Sequence, residues 1–478
     1  MAREKQVSLS RQVYEAFGIP GKISQTMAEA IDAFYDAAKG EPRWLEPGDD
    51  LKTLNFGNFV ASYAAALVCL DVSVKINSET ERGQLLQRNV DYVLKRLREN
   101  VQKGLSNVGI MFKPNGVNVD YIRPGDFVPL EVNSNGDILA CAFKTTASAG
   151  KYRYTRWEYH HFTSQTVVND ETGEVTVERV YRIDNRAFKQ EIGGTYNERH
   201  PIGDECDLSE VPQWRGIERS VIARGVDRPL YAYFRNPAAN MLDENSCLGV
   251  PVWFPAAEEI AALDYAWSRK DTEVADSKHV TYMPGTAIRY ADKHNITLPR
   301  MVTGVEMGVG VNADNQIHEH VSTLLTDQRI KDINADLSLI GIKCGFGPGR
   351  FKLDREGGYV TATEIEAGDQ DAIETVKTIR DALKDTLTDL IYACDKMADN
   401  IGDTLPADYS IQFGFGDITY NYDEDRARWL SYVSLGMVTP EAYLQRFENM
   451  SEQEARAMVQ AAKSAQNVNT DMRFYGEE

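Results

Sequence analysis

Histidine, paired cysteine, basic charge and long apolar runs are all scarce in this sequence, and each scarcity removes a class of function. There are seven histidines in 478 residues. The pair His160–His161, and His318 and His320 around Glu319, come nearest to a metal-ligand set, but a metal needs more converging ligands than either offers. Both pairs read as polar surface. The six cysteines are Cys69, Cys141, Cys206, Cys247, Cys344 and Cys394. They form no C-x-x-C pair and no zinc spacing, so free thiols in a reducing compartment are expected. The longest apolar run, Phe59 to Leu70, ends at Asp71 and falls short of the roughly 20 residues that span a bilayer. Met1 to Ser10 are charged and lack an apolar core, so they do not read as a secretory signal. The nearest run to a phosphate-binding loop, Gly345-Phe346-Gly347-Pro348-Gly349-Arg350, lacks the Gly-Lys-Ser/Thr ending, which argues against a P-loop ATPase.

Basic residues number 52 against 72 acidic ones, a formal net charge of -20. Firm binding of nucleic acid draws most of its affinity from phosphate neutralisation by a basic face. The chain as a whole offers none. An acidic wall would instead suit a strand that has to slide.

What is present reads as helices, then a sheet, then helices again. Thr26 and Glu29 have capping-box spacing, and Ile23, Met27, Ile31, Phe34 and Ala38 recur at helical steps. Phe56 to Val74 is apolar nearly all round and predicts a buried helix. Leu86, Val90, Val93, Leu97 and Val101 share one face of a third. From Val108 to Phe188 β-branched and aromatic residues alternate with turn signals at Asn115-Gly116, Asn135-Gly136 and Glu171-Thr172-Gly173, which predicts an antiparallel sheet. Within it Tyr152, Tyr154, Trp157, Tyr159 and Phe162 interleave with Arg153 and Arg156. This is either a base-stacking platform or, the reading favoured here, a sheet with one packed face and one intersubunit face. Residues 193 to 253 show no pattern. Pro255 opens a helix whose stripe is Ile260, Leu263, Trp267 and Val274, and short β-like runs follow at Val280 to Met283 and Met301 to Val305. Ile330, Ile333, Leu337 and Ile340 mark another helix. The glycine-rich run Gly341 to Gly358 predicts a flexible loop. The longest helix runs roughly from Ala372 to Met397, with Val376, Leu383, Leu390 and Met397 seven residues apart. Helix starts at Asp423 or Asp425, Thr439-Pro440 and Ser451/Glu454, with a stop at Gly436, make the last segment helical.

This order, together with local wording, resembles the portal proteins of tailed bacteriophages, in particular long-tailed phages of Gram-positive hosts. Leu248-Gly249-Val250-Pro251-Val252-Trp253, leading to Leu263-Asp264, is similar to the family's segment before its first stem helix. Gly358-Tyr359-Val360-Thr361-Ala362-Thr363-Glu364-Ile365 resembles a Thr-Ala-Thr-Glu signature after its loop. Phe413-Gly414-Phe415-Gly416-Asp417 with Asp423, then Leu435-Gly436-Met437-Val438-Thr439, resembles its C-terminal pattern. The resemblance covers about residues 40 to 450. It implies an α+β portal-type fold: a wing of helices plus antiparallel sheet (1–253), a first stem helix (254–278), a small α/β clip (279–325), a second stem helix (326–344), a flexible tunnel loop (345–365), a long wing helix (366–400) and a helical crown (401–478). It further implies a dodecameric ring at one capsid vertex, assembled in the host cytoplasm. That ring is the channel for DNA packaging and ejection. Its partners are the double-stranded DNA, the terminase large subunit, a head-completion or adaptor protein, and the major capsid and scaffold proteins. No cofactor, metal or catalytic residue is implied.

On this reading Arg350, Lys352, Asp354, Arg355 and Glu356 are the loop residues that meet DNA, and Glu258, Glu259, Asp271, Glu273 and Asp276 line the channel from the stem. Each group also reads more plainly, as a solvated loop and a solvated helix face. Two other functions remain open: a different minor capsid component, and a nuclease holding metals on Asp417, Asp423, Glu424 and Asp425.

Overall fold

Side-chain oxygens start the first helices. In the computed structural model, which describes residues 8–45, 51–116, 118–168, 175–193, 200–276, 280–297, 302–305, 318–320, 325–353, 362–400, 408–416, 422–448 and 450–462, Ser8 caps α1 (Leu9–Phe17) and Ser24 caps α2 (Gln25–Ala38). The Ser24 hydroxyl accepts the Met27 N–H at 3.1 Å, so α2 begins ahead of the Thr26/Glu29 box. α3 (Phe56–Val68), β1 (Ser73–Asn77), α4 (Glu81–Leu94) and α5 (Leu97–Leu105) follow. Leu86, Val90, Val93, Leu97 and Val101 are all buried as expected, but on two helices rather than one. Arg96 leaves helical geometry (φ -122°, ψ 14°), and no glycine or proline announces the break.

Nine strands come next: β2 (Ile110–Pro114), β3 (Val119–Ile122), β4 (Phe127–Val132), β5 (Ile138–Ala149), β6 (Tyr152–Val168), β7 (Val175–Glu191), β8 (Asp204–Cys206), β9 (Ser220–Ala223) and β10 (Ala232–Phe234). They form a six-stranded sheet, β4-β5-β6-β7-β8 with β9 also on β7, and a three-stranded one, β10-β2-β3, every pair antiparallel. Gly116 and Gly136 take φ +87° in the two Asn-Gly turns, the left-handed geometry such hairpins need.

The larger sheet does not leave a face for another subunit along its middle. Trp157 packs with Val13, Ala16, Val128, Phe188 and Ile202 on one face. Tyr154 meets Leu208, Val211 and Trp214 on the other, where Tyr181 meets Val226, Leu230 and Ala393. Much of this second cover comes from 193–253, the stretch without a sequence pattern.

The chain then makes α6 (Ala257–Asp276), β11 (Val280–Pro284), α7 (Gly285–Lys293), β12 (Val302–Val305), β13 (His318–His320), α8 (Thr326–Lys343), α9 (Ala362–Asn400) and β14 (Ser410–Gly414). β11 runs parallel to β12 and antiparallel to β13, a small α/β unit inserted between α6 and α8. In α9 the expected stripe of Val376, Ile379, Leu383, Leu387, Leu390 and Cys394 is buried within this chain, against α3, α4, β2 and β10. Arg380 of α9 donates to the carbonyls of Leu67 (2.8 Å), Val68 (3.1 Å) and Gly416 (2.8 Å), closing the C-terminal end of α3. β14 pairs with β1.

Residues 1–416 form one compact unit and 417–478 a second. The second contains α10 (Tyr422–Ser434), α11 (Pro440–Phe447) and α12 (452–462). Its punctuation follows the sequence. Gly436 takes φ +71° after α10, Thr439 caps α11 with Pro440 in the first turn, and Ser451 and Glu454 bond each other's N–H as a capping box. The fold is α+β. Among the described residues no helix is long and apolar enough to cross a membrane.

Candidate functional site

α6 and α8 lie antiparallel, held at both ends by ion pairs. Glu259 near the start of α6 meets Lys343 at the end of α8, and Glu273 meets Arg329 at 3.0 Å. Fourteen residues separate the partners on either helix (259 to 273, 329 to 343), about 21 Å of helix at 1.5 Å per residue. Glu273 also accepts the Leu325 N–H at 2.7 Å at the head of α8. That backbone bond, then Arg329, holds its carboxyl below the ordinary value. Asp271 is likewise lowered, first by its bond to Lys52 at 2.9 Å.

Of the expected channel-lining carboxylates, three thus sit against cations of the same chain, while Glu258 is exposed. Asp276 is the last residue of α6, and its side chain lies outside the described residues. At these three positions the helix pair carries compensated charge rather than a bare acidic face. The groove between the two helices is lined by Tyr265, Arg269, Arg329, Asp332 and Asp336. Burial, then Asp332 and Glu259, raise the Asp336 carboxyl.

The inner face of α6 holds a residue that periodicity did not single out. Asp264 is fully buried among Ile260, Leu263 and Ser268. Its oxygens accept the Leu54 N–H at 2.8 Å and the Trp44 indole N–H at 3.0 Å, and the Ser268 hydroxyl accepts the Lys52 N–H at 2.9 Å. Trp44 and the backbone of Lys52 and Leu54 are thereby strapped to α6. The signal was an Asp one position past Leu263 in an apolar stripe. Val274, by contrast, expected in that stripe, is 52% exposed.

The loop after α8 corrects the expectation of flexibility over residues 344–353. Phe346 and Phe351 are buried and meet Tyr63 edge-on, and Phe351 also meets Phe56 and Phe59. Gly341 is where the loop returns: a Cβ there would collide with the Gly347 carbonyl. Thr375 of α9 donates to the Gly345 carbonyl at 2.8 Å, and the Leu353 N–H donates to Asn334 at 2.9 Å. Two phenylalanines override the glycines. On this anchored turn Arg350 and Lys352 are exposed, Arg350 above the Tyr63 ring at 5.8 Å. Asp354, Arg355 and Glu356 lie outside the described residues.

His160 is not surface. It is 2% exposed and belongs to a buried network that joins the two sheets. Glu158 accepts from Lys113 at 2.9 and 3.0 Å and from Arg156 at 3.0 Å, and is bonded to His160 Nε2 at 2.7 Å. Tyr181 bonds His160 Nδ1 at 3.0 Å and accepts the Leu230 N–H at 3.1 Å. A neutral ring satisfies every bond if Nε2–H donates to Glu158 and the Tyr181 hydroxyl donates to Nδ1. Burial alone would raise the Glu158 carboxyl; Lys113, then His160 and Arg156, hold it well below the usual range. Burial pushes His160 down despite Glu158. His161 is partly buried, bonded to Asp184 at 3.0 Å and stacked on Tyr159. The side chains of His318 and His320, and of Asp417, Asp423, Glu424 and Asp425, lie outside the described residues. Among the described residues no three His, Cys, Asp or Glu side chains cluster to hold a metal.

No protein-family model matches the chain, and no curated protein matches it in sequence.

Proposed function

We propose that this chain is a portal protein: a non-enzymatic subunit of a ring, at one capsid vertex of a virion, through which double-stranded DNA is packaged and later ejected. The observation that carries the reading is the antiparallel α6/α8 pair bracketing a small α/β unit and followed by an anchored loop and the 39-residue α9. This is the stem–clip–stem–loop–helix order that the local sequence resemblance implies. A helix pair clamped at both ends is a stiff element, suited to a channel wall.

Its charge suits passage rather than capture. Lys52, Arg329 and Lys343 are each compensated by a carboxylate of α6, so at these positions a sliding duplex meets no uncompensated positive charge to stick to. Arg350 and Lys352, held out by the Phe346/Phe351 anchor, are the groups placed to touch phosphates in passing. The terminase large subunit and later a head-completion protein would dock on the α/β unit at 280–320, and the capsid and scaffold proteins would surround the ring. Negative-stain microscopy of the purified chain tests the reading. Rings with an axial hole are expected; solitary compact particles would overturn it.

A further inference from the structure

β6 and β7 run on past the rest of their sheet. β5 pairs with β6 only as far as His160, and β9 with β7 only as far as Tyr181. β6 and β7 pair with each other on to Val168 and Val175. Residues 163–168 and 175–180 are thus a two-stranded arm, about 17 Å long at roughly 3.4 Å per residue. Its root is fixed. Val180 is buried, Phe162 meets Tyr181 edge-on at 5.0 Å, and Arg179 lies over the Phe162 ring at 4.1 Å. Beyond the root Ser164, Thr166, Val177 and Glu178 are exposed, Val177 at 69%. A ribbon of two strands is marginal alone in water and gains stability from a third.

Among the described residues no further strand pairs with either edge of the arm. The Asn185 N–H donates to the Arg219 carbonyl at 2.8 Å, so Asn185 faces away from β6. Alternation along the unbroken register then turns the N–H and C=O of Val177 and Arg179 outward on β7, and those of Ser164 and Thr166 outward on β6. Folded proteins protect a free edge with charge, proline or a bulge. Thr163-Ser164-Gln165-Thr166-Val167-Val168 has none of the three, and four of its six residues are β-branched, the composition that favours strands. On β7 Glu178 and Arg179 are the charges between 175 and 180, one of each sign. The arm therefore offers no net positive charge to DNA, whose binding draws on phosphate neutralisation. Its two edges instead complement each other. Copies standing side by side in one orientation around an axis bring the β7 edge of one against the β6 edge of the next, antiparallel, over matching lengths. A partner of another kind would add to one edge and leave the other bare. A copy of this chain satisfies both, and the pairing closes with the ring.

We propose that the β6–β7 arm is a head-to-tail contact between copies of this chain, the outer edge of β7 in one copy adding as a strand to the outer edge of β6 in the next. The inference rests on the ring reading and assigns that ring one pair of contact edges. Thr166→Pro removes an outward N–H of β6 and Val177→Pro one of β7, and neither N–H belongs to the ladder between the two strands. Native mass spectrometry of the purified full chain is expected to show the large assembly for the native sequence. Each variant alone should associate at least about tenfold more weakly, with circular dichroism unchanged. Each variant also keeps the edge that the other lacks. An equimolar mixture is therefore expected to give, as its main assembled species, a particle of twice the 53.6 kDa chain mass. Should a proline variant not fold, Thr166→Lys and Val177→Lys place a charge on the same edges at exposed positions and serve as the pair. Native rings that persist in both folded variants would overturn this contact while sparing the ring. Variants that stay single when mixed, at the concentration at which native rings form, would overturn the pairing of β7 with β6. A native chain that stays monomeric would overturn both the contact and the ring.

Discussion

Replacing Glu158 by Gln removes the negative charge nearest to the buried Lys113, at 2.9 Å, and to the partly buried Arg156, at 3.0 Å; Asp120 lies farther from Lys113, at 3.8 Å. Breaking a buried pair from one side costs about 3–5 kcal/mol, because the remaining charge is left without compensation. Gln keeps one acceptor oxygen, so the lower end, about 3 kcal/mol, is expected, a large share of the roughly 5–15 kcal/mol that holds a folded domain. Lys113→Met should cost a similar amount. The double variant should cost less than the sum of the two by about 2 kcal/mol, since partners in direct contact do not add. Urea unfolding followed by tryptophan fluorescence reads this, with Trp157 fully buried on the other face of the same strand. Acid separates charge from shape. The native Glu158 carboxyl lies below its unfolded value, so its contribution is complete above about pH 4.5 and is lost as pH falls toward the folded value. The native protein should therefore lose stability below pH 4.5 more steeply than Glu158→Gln. Single variants that cost under about 1 kcal/mol, or that add within about 0.5 kcal/mol, would refute the network as the lock between the sheets.

Other outcomes follow from the same geometry. His160 is lowered on folding, so the unfolded chain takes up its proton first, and native stability should fall as pH drops below about 6.5; His160→Gln should flatten that slope in a pH series of melting curves. Arg380→Met removes three bonds to carbonyls of α3 and Gly416 and should cost about 3 kcal/mol, read as faster hydrogen exchange at the end of α3. Asp264→Ala leaves the Trp44 and Leu54 N–H groups unpaired, a loss of about 2–4 kcal/mol that should expose 44–54 to protease before the rest of the chain. Arg350→Ala with Lys352→Ala should change melting little, Arg350 losing its contact over the Tyr63 ring, and reduce the DNA content of assembled heads; heads filled at the native level would show that these two residues do not act on the DNA.

How much could be read beforehand divides along physical lines. Local chemistry was legible: Asn-Gly at the hairpins, Thr439-Pro440, the Ser451/Glu454 box and the seven-residue stripe of α9 all act within a few residues. Features set by distant contacts were not. β6 and β7 pair over their full length, and alternation marked only parts of them, because both faces are buried along the middle and polar residues such as Glu158 and His160 point inward there. The 200–253 stretch shows no sequence pattern because it packs through single anchors, Trp214 and Leu230 among them, rather than through a repeat. The glycines at 341–349 marked flexibility, but burial of Phe346 and Phe351 outweighs it. On α6 the acidic residues were visible and their partners were not, since Lys52, Arg329 and Lys343 reach them from other segments.

The mass of the native particle bears most directly on the central claim. Each chain weighs 53.6 kDa. Native mass spectrometry at micromolar concentration should give a closed assembly, about 640 kDa for twelve copies. A spectrum holding only the single-chain mass would contradict it.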